Sequence, residues 1–92
     1  MRRAAKVDAN HAEIVSALRA IGCSVQSLAQ VGQGCPDILV GRDGTNFVFE
    51  VKADKGSLTP LQEGWHATWR GSSYVVRDAD EAIRLVEFWS RK

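Results

Sequence analysis

Pro36-Asp37-Ile38-Leu39-Val40-Gly41-Arg42-Asp43-Gly44-Thr45-Asn46-Phe47-Val48-Phe49-Glu50-Val51-Lys52 is the stretch whose pairing organises the chain. Two apolar runs flank an Asp-Gly pair, the pattern of a β-hairpin with a two-residue turn. With Asp43-Gly44 as the loop, Arg42 faces Thr45, Val40 faces Phe47 and Asp37 faces Glu50. A four-residue loop over 42–45 leaves that register unchanged. Directly opposed residues point to one face with Cβ atoms about 4.5–5.5 Å apart. Side-chain alternation adds Lys52 to the same face. Two carboxylates held this way repel unless a cation sits between them. A hard divalent ion such as Mg²⁺, which prefers oxygen ligands, relieves that conflict.

Upstream, 8–21 has helical spacing, with Val7, Ile14, Leu18 and Ile21 on one stripe and Val15 beside it. Gly22 is the stop, and 23–29 reads as a strand. Downstream, Thr59 is an N-cap, Pro60 suits the first helical position, and Gln62 at the third completes a capping box. Leu61, Trp65 and Trp69 recur at four-residue steps and are expected to face the sheet. Gly64 costs this helix about 1 kcal/mol relative to alanine, and Gly71 ends it. A strand over 73–77 follows. Asp78-Ala79-Asp80-Glu81 is a second capping box, opening a helix that runs to about Ser90. The order is α-β-β-β-α-β-α: an α/β chain with a mixed sheet flanked by helices. The strand–helix–strand unit from Glu50 to Val76 predicts a right-handed crossover and a parallel last strand.

The 92 residues suffice for one domain, 1–92, with residues 1–7 expected as a flexible basic arm. The 45% apolar and 25% charged fractions are those of an ordinary globular protein. No apolar run approaches a membrane span, and the N-terminus lacks the apolar stretch of a signal peptide. A cytoplasmic location with reduced thiols is expected. Cys23 and Cys35 do not have the spacing of a zinc site or a disulfide framework, and read as small packed residues. A net charge of +1 leaves any phosphate-binding surface to local clusters of basic residues.

Each candidate has an ordinary reading. Glu50-Val51-Lys52 alone describes many surface strands, and Pro-Asp alone often starts a turn. Their joint placement on one face is what raises the functional reading. Gln62 is wanted by the capping box regardless of chemistry. His11 falls in the first helix's apolar stripe as a partly buried histidine. His66 is expected on the exposed side of the second helix, and both histidines are left out of the site.

Asp37 followed by Glu50-Val51-Lys52 resembles the PD-(D/E)XK nuclease signature. Gly34-Cys35-Pro36-Asp37, Glu50-Val51-Lys52 and the helix opening at Thr59-Pro60-Leu61-Gln62 look like the VRR-NUC branch, whose motif reads G-x-P-D, E-x-K, then a helical glutamine. The likeness runs from the first helix to the last. It implies a restriction-endonuclease-like fold and a metal-dependent DNA endonuclease leaving 5′-phosphate and 3′-hydroxyl ends. By the resemblance, Asp37, Glu50, Lys52 and Gln62 are the catalytic set. Mg²⁺ or Mn²⁺ would be held by Asp37, Glu50 and the Val51 carbonyl, with Glu13 of the first helix as a further acidic position. Glu13 lies roughly 120° from the centre of the apolar stripe, where a solvated glutamate is the plain alternative.

DNA contacts are expected from Arg2, Arg3 and Lys6 in the arm, from Lys55 beyond the catalytic lysine, and from Arg42 at the hairpin tip. Arg70 is a further candidate, and ordinary solvated surface is the alternative for all of them. So few basic groups imply weak, salt-sensitive binding by one copy. On the last helix Ala79, Ala82, Ile83, Val86 and Trp89 form the inward stripe, leaving Leu85 and Phe88 on a neighbouring face as the mark of a homodimer. Short stand-alone members of the resembled family are typically viral, which would mean the host cytoplasm, and longer ones are fused to repair modules. The expected substrate is branched DNA such as a four-way (Holliday) junction. The alternatives are a monomeric flap or nonspecific nuclease, a non-catalytic nucleic-acid-binding module, and a protein-interaction domain.

Overall fold

The computed structural model describes the backbone of residues 2–90 and the side chains of residues 10–90. Three helices and four strands follow in the order α1 (Arg2–Ala20), β1 (Ser24–Ser27), β2 (Ile38–Arg42), β3 (Thr45–Val51), α2 (Pro60–Thr68), β4 (Ser73–Val76) and α3 (Ala79–Trp89). The sheet order is β1-β2-β3-β4, antiparallel except for the parallel β3–β4 pair. This is the expected mixed α/β arrangement.

The hairpin closes as its sequence requires. Arg42 pairs with Thr45 and Val40 with Phe47. Asp43 and Gly44 both have positive φ, 49° and 80°. That combination defines the turn whose twist matches the flanking strands and explains the Asp-Gly dipeptide.

Alternation then sorts the strands' side chains. Ile38, Val40, Phe47, Phe49, Val51 and Val76 are buried on one face, where they pack with Ile14 and Leu18 of α1 and Ala82 and Val86 of α3. Full burial of side chains this size stabilises by about 1.5–3 kcal/mol each, so this face supplies most of the core. The opposite face carries Leu39, Val48 and Glu50. Val48 pairs with Ser73 there, and Ser73 bonds to His66 of α2, so α2 lies on that side.

Several expectations need correction. α1 begins at Arg2, so the segment read as a flexible arm is helical in backbone; its alanines and basic residues favour that state. The side chains of Arg2, Arg3 and Lys6 lie outside the described residues. α1 ends in a Schellman motif, with Cys23 N–H donating to the Leu18 carbonyl and Gly22 N–H to that of Arg19, both at 3.0 Å. The Leu61–Trp65–Trp69 stripe is not buried: Leu61 is 65% exposed and Trp69 50%. The face of α2 that meets the sheet instead bears Gln62 and His66, because it lies over polar Glu50 and Ser73. Trp69 stacks on Trp65, with ring centroids 4.5 Å apart. At α3 the Asp78 side chain accepts from Glu81 N–H, but the Glu81 carboxylate turns to Arg77 N–H at 2.8 Å, so only half of the second capping box forms. Trp89 is half exposed rather than inward, and buried Ser90 lies beyond it. Among the described residues no helix is long and apolar enough to cross a membrane.

Candidate active site

The site forms where the ladder between β2 and β3 runs out. Regular pairing stops at Ile38 opposite Phe49. One residue earlier, Asp37 N–H donates to the Phe49 carbonyl at 3.0 Å, a step out of register. The Asp37 side chain completes the edge, its Oδ2 accepting from Val51 N–H at 2.7 Å. The direct Asp37–Glu50 ladder pair is therefore replaced by a side-chain-to-backbone bond. The two carboxyls remain neighbours, lining one cleft of about 440 Å³ with Val51, Lys52 and Gln62.

Glu50 is 2% exposed. Burial, then the charge of Asp37 and a side-chain hydrogen bond with it, push its carboxyl up to about 7, against a smaller opposing pull from Lys52. These are the three distinct causes of a shifted carboxyl acting together. A cation beside this pair would offset both the cost of burying the Glu50 charge and its repulsion by Asp37. Glu50 Oε2 accepts from Gln62 Nε2 at 3.1 Å. Glu50 Oε1 is buried without a hydrogen-bond partner.

Gln62 settles its two competing readings by having two ends. Its Oε1 accepts from Thr59 N–H at 2.9 Å, closing the capping box, while its Nε2 reaches Glu50. The approach of α2 is set by Gly34. This glycine has φ +82°, and a Cβ there would overlap the Leu61 carbonyl oxygen. The first turn of α2 thus passes against the backbone at Gly34, three residues upstream of Asp37. That contact gives the G-x-P-D spacing a physical reason.

Other expected residues are placed elsewhere. Glu13 is exposed and does not line the cleft; His11 does. The two are two positions apart, about 200° round a helix, so one facing the cleft turns the other away. Arg42 sits at the far end of β2, about 17 Å from Asp37 at strand rise, on the core-facing side and paired with Asp43 at 3.7 Å. Lys55 and Arg70 are exposed and outside the cleft lining. Cys23 and Cys35 are free, and burial pushes both thiols up, in keeping with packed, unreactive residues.

Two neighbours escaped the sequence reading. His66 is half-buried, its Nδ1 3.2 Å from Ser73 Oγ and its Nε2 3.9 Å from Glu50 Oε1. The signal was present: His66 follows Gln62 by four, so both share one helix face. Arg77 holds the loop after Lys52, donating to the carbonyls of Gly56 at 2.7 Å and Ala53 at 2.9 Å. Nothing local in the sequence announces that clamp.

The donor set suits a hard divalent cation in part. Asp37 and Glu50 offer oxygens beside one another, and a buried Glu50 oxygen is left unpartnered. Among the described residues no three side chains of the His, Cys, Asp and Glu types gather as ligands. An ion here would complete its shell from backbone and water oxygens. A larger open depression of about 830 Å³ lies along α3, lined by Glu81, Arg84, Leu85, Glu87, Phe88 and Trp89. No known protein family, curated protein or solved structure matches this chain.

Proposed function

We propose that this chain is a divalent-metal-dependent endodeoxyribonuclease of the VRR-NUC type within the PD-(D/E)XK superfamily. The observation that carries the reading is the gathering of buried Glu50, Asp37 and Lys52 around one cleft, where burial and the Asp37 charge raise the Glu50 carboxyl. A carboxyl shifted by burial together with a specific charged partner, inside a cleft, has the character of a functional group.

Asp37, Glu50 and the Val51 carbonyl would hold Mg²⁺ or Mn²⁺, with Glu13 too far round its helix to join them directly. When bound, such an ion supplies Lewis-acid polarisation of a phosphodiester oxygen and a lowered pKa for an adjacent water. Lys52, half-buried on the cleft wall, places a positive charge where negative charge grows on the phosphorane. Gln62 fixes the Glu50 carboxyl through its amide.

Branched DNA and a homodimer belong to the same proposal. Phe88 is 70% exposed, with Trp89 packed edge-on beside it and Leu85 half-buried on the same helix. Apolar side chains of this size mark an interface. Two copies joined there would offer two clefts to one junction.

A second reading is favoured by one contact. Because Asp37 Oδ2 closes the strand edge on Val51 N–H, the acid has a structural role that a non-catalytic binding module of this fold would retain. The deciding experiment is cleavage of branched and linear DNAs with Mg²⁺, Mn²⁺ or chelator, comparing the wild type with Asp37→Asn. Asparagine keeps an acceptor for Val51 N–H and removes the charge. The nuclease reading expects metal-dependent cutting of branched DNA that this variant loses. No cutting under any condition, with DNA binding unchanged by the variant, establishes the binding module instead.

A further inference from the structure

We propose that His66, oriented by Ser73, is a positioning residue for Glu50, its Nε2–H donating to Glu50 Oε1. The proposal deepens the nuclease reading, on which its catalytic consequence rests.

Glu50 Oε1 and His66 Nε2 are both buried polar atoms without a hydrogen-bond partner, and they face each other. At 3.9 Å they are not yet bonded. An unsatisfied buried polar atom costs about 1–3 kcal/mol, so two orphans about 1 Å beyond bonding distance are driven together. Burial lowers the His66 pKa, and at pH 8, well above the ordinary imidazole value, the contact is a matter of tautomer rather than an ion pair.

Three groups constrain the ring. Ser73 Oγ lies 3.2 Å from Nδ1, Trp65 packs edge-on with centroids 5.5 Å apart, and Glu50 stands at Nε2. When the Ser73 hydroxyl donates to Nδ1, the ring proton resides on Nε2, aimed at the carboxylate. Gln62 already donates to Oε2. Successive turns of α2 then grip both oxygens of Glu50, leaving its remaining lone pairs for Asp37's side of the cleft. Outer partners of this kind orient a ligating carboxylate and tune its affinity.

Two measurements test the assignment. Ring ¹⁵N spectra of the metal-free protein at pH 8 should show the Nε2–H tautomer of His66, with Ser73→Ala admitting the other tautomer. A wild-type ring protonated at Nδ1 instead overturns the proposal. In calorimetric titrations with Mn²⁺, His66→Leu should weaken binding by about 10–100-fold. His66→Gln, whose amide reaches the Nε2 position, should recover most of it even if the leucine variant folds poorly. Equal Mn²⁺ affinity in wild type and His66→Leu also overturns it. Absence of Mn²⁺ binding by the wild type removes the nuclease reading instead, and the tautomer then decides the role of His66 alone.

Discussion

The Gln62 amide donates to Glu50 Oε2 at 3.1 Å, so the residue that caps α2 also holds the buried carboxyl of the site. Helix nucleation and site geometry are thereby coupled through one side chain. Gln62→Glu separates the two: it retains an acceptor for Thr59 N–H but sets a second negative charge against Glu50. The helix should keep its cap and DNA cleavage should fall about 10–100-fold. Gln62→Ala should lose both, with about 1 kcal/mol or more of stability. Urea unfolding and cleavage rates on both variants check this, and unimpaired cutting by Gln62→Glu would detach Gln62 from the site.

Lys52 is half-buried in the cleft and its charge pulls the Glu50 carboxyl down. Lys52→Ala should abolish cleavage and leave Mn²⁺ binding largely intact, since the ammonium acts on phosphorane charge and not on the ion. Single-turnover cleavage beside Mn²⁺ calorimetry measures the two effects separately. Wild-type turnover in the variant removes Lys52 from the mechanism.

Glu50 also makes a pH prediction with a definite sign. Burial and the Asp37 charge push its folded carboxyl up to about 7, against an ordinary value of 4.5. Between those values the folded chain binds more protons than the unfolded one. Metal-free stability should therefore be highest below about 4.5 with respect to this group and fall as pH rises to 7, by on the order of 3 kcal/mol. Metal binding should follow the opposite course, strengthening over that window because the ligand must be ionised. Denaturant unfolding from pH 4 to 8, with Glu50→Gln as the control that flattens the slope, is the measurement.

Gly34→Ala should be among the most damaging single changes outside the core. The left-handed φ of +82° strains any L side chain, and the new methyl would meet the Leu61 backbone rather than a movable side chain. A loss of about 2–4 kcal/mol is expected, together with impaired cleavage as the first turn of α2 lifts from Glu50. Thermal unfolding of Gly34→Ala against Gly22→Ala makes the comparison, because Gly22 shares a positive φ of +96° but has open space around it. Equal losses in the two would assign the effect to backbone strain alone.

Local patterning carried a great deal. Asp43-Gly44 imposed the hairpin register, Thr59-Pro60-Leu61-Gln62 announced the start of α2, and alternation put Asp37, Glu50 and Lys52 on one face. Such features depend on backbone geometry over a few residues, which is why they were legible in the chain itself. Tertiary packing decided what periodicity could not. The polar face of α2 meets the sheet and Leu61 is left exposed, because the surface beneath the helix already holds Glu50 and Ser73. His11 turns to the cleft in place of Glu13, the loop after Lys52 is tied down by Arg77, and the carboxyl of Asp37 is spent partly on Val51 N–H. Those outcomes depend on contacts between residues from 14 to 24 positions or more apart in sequence, and on the desolvation that only the assembled fold imposes on Glu50.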